Sequence, residues 1–144
     1  MATQVKKVYD AVTLLASAAR TATSTGTDAV RLPKGMQGLA LVLDVTAAAT
    51  ESGDLLDVYV QTKIDGTNWV DVQHFTQVLG NGGAKRYYAK LMSNAALTEF
   101  ENAAALGAAA LRNLVGDDWR VRYVITDAGT DNASFTFSVI ACPM

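Results

Sequence analysis

The 144-residue sequence predicts an all-β domain, an antiparallel two-sheet β-sandwich of jelly-roll or immunoglobulin-like kind. Two-residue alternation of apolar and polar side chains recurs along most of the chain, which is the pattern of half-buried strands. Clusters rich in Gly, Ser, Thr, Asn and Asp punctuate these stretches, as turns require. The most legible unit is "VYVQTKIDGTNWVDVQHF", residues 58–75, where two alternating arms flank Asp65-Gly66. That dipeptide supplies the dihedral freedom of a hairpin turn. Strands of this kind bury their apolar sides by stacking two sheets face to face.

The elements follow in order. Residues 8–16 form the first candidate strand, and "TATSTGTD" (21–28) reads as a loop. A short strand "AVRLP" precedes the turn "KGMQG", whose glycines permit positive φ. Residues 38–47 place Leu39, Leu41, Leu43 and Val45 on one side. After the turn "TESGD" comes the hairpin. Its first arm sets Leu56, Val58, Val60 and Thr62 against Asp57, Tyr59, Gln61 and Lys63. Its second sets Trp69, Asp71, Gln73 and Phe75 against Val70, Val72 and His74, with Trp69 expected to cover the end of the core. "GNGGAK" is a turn and "RYYAKLM" another strand. Residues 119–126 alternate Val121, Tyr123 and Ile125 against Arg120, Arg122 and Val124. The last strand, 134–141, puts Phe135, Phe137, Val139 and Ala141 inside.

Residues 93–118 break the pattern. "NAALTEFENAAALGAAALRNL" is alanine-rich, with Leu97, Phe100 and Glu101 at helical spacing and Gly107 interrupting any long helix. The prediction is a short helix, or a long loop with one helical turn, that leaves the sandwich to touch a neighbouring subunit.

Half of the residues are hydrophobic but only 8% are aromatic, so much of the core is built from small side chains that each bury little area. A domain of this kind leans on neighbours for stability, and an assembly subunit is the expectation. The length fits a single domain spanning 1–144 with an extended N-terminal arm. A net charge of −2 with scattered basic residues gives no basic face for nucleic acid. The opening "MATQVKKVYDAVTLLASAAR" is broken by Tyr9, Asp10 and Thr13, so it reads as retained rather than as a leader. No stretch has the ~18 apolar residues of a membrane span. Cys142 is the one cysteine, which excludes an intramolecular disulfide.

Chemistry-bearing patterns are sparse. His74 is the one histidine, placed by alternation on a strand face, and it reads as structural. No Gly-x-Ser-x-Gly elbow accompanies it, "GNGGAK" lacks the ending of a phosphate loop, and "IDGTNW" is a single short Asp-box-like turn without repeats. Carboxylates gather in loops as Glu51 with Asp54, Asp117 with Asp118, and Asp127 with Asp131. They lack calcium-loop spacing and read as residues that hydrogen-bond their own turns. The expectation is therefore a non-enzymatic protein without cofactor or metal.

Two segments carry a resemblance. "LDVYVQTKIDGTNWVDVQHF" and "LVGDDWRVRYVITD" with the terminal "ASFTFSVIA" together resemble small β-sandwich structural proteins of tailed-bacteriophage virions. They cover less than half the chain, and the alanine-rich 93–118 segment departs from a bare sandwich. The resemblance implies a head decoration protein that binds the major capsid protein and copies of itself in the virion, assembled in the host cytoplasm. A ring-forming neck or tail protein is the alternative within that class. Contacts are expected in the terminal arm, at Lys6, Lys7 and Tyr9, and in the alanine-rich segment, at Leu97, Phe100 and Leu106. From a different class, a carbohydrate-binding module would stack sugars on Trp69, Tyr59, Tyr87 and Tyr88, although rings on a sandwich are more often core or interface.

Overall fold

The computed structural model describes residues 10–129 and 131–144. They form two antiparallel sheets packed face to face, a β-sandwich as predicted. The strands are β1 (Val12–Arg20), β2 (Val30–Arg31), β3 (Gly38–Ala47), β4 (Leu55–Lys63), β5 (Trp69–His74), β6 (Val78–Leu79), β7 (Lys85–Met92), β8 (Asp118–Thr126) and β9 (Phe135–Pro143). One sheet has the order β1-β9-β3-β7. The other runs β2-β8-β4-β5, with β6 also beside β4.

The alternating apolar residues meet between the sheets. Leu39, Leu41, Leu43 and Val45 of β3 and Phe135, Phe137, Val139 and Ala141 of β9 are all buried. Facing them are Leu56, Val58 and Val60 of β4 and Trp119, Val121 and Tyr123 of β8. Tyr123 meets Phe137 edge to face at 5.3 Å, one of the contacts that join the layers. Arg20 closes that end of the core, its guanidinium 4.9 Å from the Phe137 ring centre and donating to Phe137 O at 2.8 Å.

The structure departs in several places from what the sequence predicts. The described first strand runs from Val12 to Arg20 rather than over 8–16, because Ala18, Ala19 and Arg20 pair with Phe137, Thr136 and Phe135 of β9 whatever their hydropathy. Val8 and Tyr9 lie outside the described residues. β6 is too short to show a period.

The hairpin connection is wider than a two-residue turn. It spans Ile64 to Asn68, with Asp65 Oδ1 accepting from the N–H groups of Thr67 and Asn68 at 2.9 and 2.7 Å and Gly66 at φ 78°.

The second hairpin arm carries a β-bulge. Gln61 opposes Asp71 but Val60 opposes Gln73, so Val72 is the extra residue. Beyond it the facing reverses: His74 shares the outer face with Asp71 and stacks on Tyr59, instead of sharing a face with Val70 and Val72. Trp69 sits on that same outer face, half-buried, and Trp119 is the tryptophan that fills the core.

No helix forms among the described residues, and the alanine-rich segment takes its backbone bonds from β5. His74 N donates to Ala110 O at 3.0 Å and Arg112 N to Val72 O at 2.8 Å, with Leu111 opposite Gln73. A short helix interrupted by Gly107 would form few internal bonds for a costly nucleus. Pairing with an open strand edge satisfies the same groups, and the segment lies as a strap against its own sheet.

Candidate functional site

The densest side-chain constellation is the outer face of the five-stranded sheet. Strand alternation sends Asp57, Tyr59, Gln61 and Lys63 of β4 and Arg120 and Arg122 of β8 to this face, and β5 adds Trp69, Asp71 and His74. Such residues are ordinarily solvated. Here Tyr59, Gln61, Asp71 and His74 are buried, because the strap crosses over them, and buried polar groups must then be hydrogen-bonded.

They are. Asp71 is the hub: its Oδ1 accepts from Gln61 Nε2 at 2.8 Å, and its Oδ2 accepts from Arg122 Nη2 at 3.1 Å and from the Leu106 N–H at 3.2 Å. Gln61 Oε1 in turn accepts from Arg120 Nε at 2.7 Å. His74 completes the fastening. Its Nε2 lies 3.0 Å from Asp57 Oδ1 and its Nδ1 2.7 Å from Leu106 O. Both neighbours are acceptors, so the ring satisfies both only when each nitrogen carries a proton. Gln77 Nε2 donates to both oxygens of Asp57, at 3.2 and 3.0 Å. The peptide groups of Leu106 are thus held from both sides, by Asp71 at the N–H and His74 at the carbonyl.

Cations and rings interleave over the same surface. Tyr59 is clamped between the His74 ring, with centroids 3.9 Å apart, and the Arg122 guanidinium at 3.7 Å. Burial pushes its phenol above the usual value, opposed by the charge of Arg122. Trp69 has Arg120 at 4.4 Å and Lys63 at 4.8 Å from its ring centre. Burial first, and the like charge of Arg122 second, hold the Arg120 guanidinium below its ordinary value. An open cleft of about 360 Å³ remains beside Asp71 and Arg122, walled by Asn102 and Ala103 to Ala105 of the strap.

A second cluster lies in the loops. Glu51, Asp54 and Asp127 bring carboxylate oxygens within 4.8 Å of one another, a donor type suited to a hard cation. All three also brace backbone: Asp54 Oδ1 accepts from Ala128 N at 2.9 Å, Asp127 Oδ1 from Gly129 N at 3.2 Å, and Glu51 Oε2 from Asp131 N at 3.3 Å. The sequence pairs Asp127 with Asp131, whereas the fold sets Asp127 beside Glu51 and Asp54.

Of the expected contact residues, Lys6, Lys7 and Tyr9 lie outside the described residues. Leu97 is 41% exposed. Phe100 is half-buried beneath the Arg112 guanidinium at 3.7 Å, and Leu106 is half-buried over the Asp71–His74 pair. Leu97 therefore faces solvent, while Phe100 and Leu106 fasten the strap to its own sheet. Tyr88, named from the sequence only as a sugar-stacking ring and not as a subunit contact, is the most exposed large hydrophobic residue among the described residues at 72%. Its signal was the run Lys85-Arg86-Tyr87-Tyr88-Ala89-Lys90, a strand with three cations and no acid. The chain matches no protein-family model and no curated relative.

Proposed function

We propose that this chain is a non-enzymatic structural protein of a tailed-bacteriophage virion, and within that class a decoration protein that binds the assembled lattice of the major capsid protein. One observation carries the reading: the two outer faces of the sandwich are treated oppositely. The five-stranded sheet lies under its fastened strap. The four-stranded sheet is left open by the described residues and carries the cross-strand row Tyr88, Val42, Ile140 and Thr13, aligned by the β7–β3–β9–β1 register. Tyr88 and Thr13 are exposed and Val42 and Ile140 half-buried, which suits a flat contact surface. The resemblance of the hairpin and the two last strands to virion sandwiches supplies the class.

The carbohydrate-binding alternative draws little support from the rings. Tyr59 is enclosed between His74 and Arg122, Trp69 is flanked by two cations, and Tyr87 and Tyr88 point to opposite faces of β7. A sugar platform needs coplanar exposed rings.

The test is co-sedimentation with shells of the cognate major capsid protein. Saturable binding to assembled shells, little binding to free capsid subunits and a raised shell melting temperature are the expected results. Equal or absent binding to both forms rejects the reading.

A further inference from the structure

The four sheet edges of the sandwich are managed unequally. An unpaired edge is a template for another strand, and folded proteins blunt it by covering, shortening, bulging or charging it. The β5 edge is covered by Ala110 and Arg112. At the far side of the same sheet, β2 has two residues and Ser24 and Thr27 bond the rest of β8. The β1 edge carries two register shifts. β7 is different. It pairs with β3 without a shift from Lys85 to Met92, and nothing among the described residues pairs with its other side.

The Met92 N–H is turned away from β3, donating to Asn113 Oδ1 at 3.0 Å. By strand alternation the backbone groups of Arg86, Tyr88 and Lys90 also point to the free edge. A groove of about 240 Å³ runs beside them, with Phe75, Ala109 and Leu111 on its far wall. Leu111 is 43% exposed. Only the charges of Lys85, Arg86 and Lys90 guard this edge, and Arg86 is already paired with Asp44 at 3.3 Å.

The strap presents the complementary feature. Residues 97–101, Leu-Thr-Glu-Phe-Glu, are held at both flanks: Asn113 Nδ2 donates to Ala96 O and Asn102 Nδ2 to Trp69 O, each at 3.2 Å. Between these anchors no backbone group is paired among the described residues, and Glu99 and Glu101 are exposed. It is a short, acidic stretch outside the strands, with its backbone groups left for a partner.

We infer that β7 is a docking edge whose occupant is the 97–101 stretch of a second copy of this chain. Backbone pairing along Arg86, Tyr88 and Lys90 supplies the affinity, Glu99 and Glu101 on one side of the stretch meet Lys90 on the matching face of β7, and Leu97 reaches the Tyr88–Leu111 groove. β7 pairing with itself would set cation against cation. The contact joins two different surfaces, so it closes as a reciprocal two-fold dimer where both pairings form at once and otherwise propagates into a ring or an open filament. The inference rests on the assembly reading above and sharpens it.

The test uses two charge-reversed full-length proteins, K90E and E99K/E101K, all three positions being exposed. Light scattering across a concentration series should show salt-sensitive self-association of the parent, weakened roughly tenfold or more in either variant. Mixing the variants should restore assembly, because each then offers the charge the other lacks. A monomeric parent, unchanged variants or a mixture that fails to recover overturns the strand pairing. Circular dichroism melts that match the parent's confirm that the variants are folded. Retained shell binding without self-association removes this inference alone; lost shell binding with intact self-association removes the decoration reading alone.

Discussion

His74 Nε2 lies 3.0 Å from Asp57 Oδ1, on a buried face that the bulge at Val72 alone makes available to the ring. Because the other ring nitrogen meets Leu106 O, this pair is the pin that fastens the strap. Replacing His74 with Ala removes both bonds and leaves Asp57 with Gln77 alone. We expect a loss of about 1–3 kcal/mol in urea unfolding, with faster hydrogen exchange at the strap amides of Leu106 and Arg112. Unchanged exchange there would mean that the strap is held by Asp71 and β5 without the imidazole.

Asp71 and Arg122 form the most enclosed carboxylate–guanidinium pair among the described residues, at 3.1 Å with both side chains largely withdrawn from water. A double-mutant cycle with Asp71→Asn and Arg122→Met isolates their interaction. The expected coupling is about 1–3 kcal/mol, since removing one partner strands the other. Coupling near zero would show that Gln61 and the Leu106 N–H alone justify the buried carboxylate.

Asp65 gives the pH dependence. The backbone N–H of Asn68, its side-chain amide and the N–H of Thr67 favour the ionised carboxylate and hold its pKa at about 2, against 3.8 ordinarily. A pKa depressed in the fold stabilises the loop fully above the ordinary value, and that contribution fades as pH falls from about 4 to about 2. A carboxyl-carbon titration by NMR should find the Asp65 midpoint near 2, with the Thr67 and Asn68 amides shifting in step. Asp65→Asn should abolish that step. A midpoint close to 4 would contradict the loop geometry.

Two glycines separate space from backbone need. A Cβ at Gly116 would run into the carbonyl oxygen of Lys63 and the Thr62 hydroxyl, whereas one at Gly107 meets nothing within 4 Å. Gly116→Ala is expected to cost about 1–3 kcal/mol through the forced backbone shift. Gly107→Ala, at a position without positive φ, should be neutral or stabilise by up to about 1 kcal/mol by restricting the unfolded chain. Parallel thermal melts of the two variants decide it, and equal melting temperatures would refute the contrast.

What the sequence by itself determined is local. The alternation of Leu39, Leu41, Leu43 and Val45, of Val121, Tyr123 and Ile125, and of Phe135, Phe137 and Val139 announced three strands and their buried faces. Side-chain direction has a period of two that any short window displays. Asp65-Gly66 marked the hairpin for the same reason: a turn is a matter of neighbouring dihedral angles. These signals were enough for a sandwich.

The site was decided elsewhere. Nothing in "WVDVQHF" marks Val72 as the extra residue, because a bulge exists only relative to the partner strand, and it alone turns His74 toward Tyr59 and Asp57. Nor does an alanine-rich run reveal its destination. Leu106 meets Asp71 and His74 across more than thirty positions, and a bond of that span forms only after both sheets have assembled the edge that receives it. Helical spacing favours a helix where the chain stands alone. In this fold the open edge of β5 offered the same backbone groups better partners, and the tertiary contact overrode the local preference.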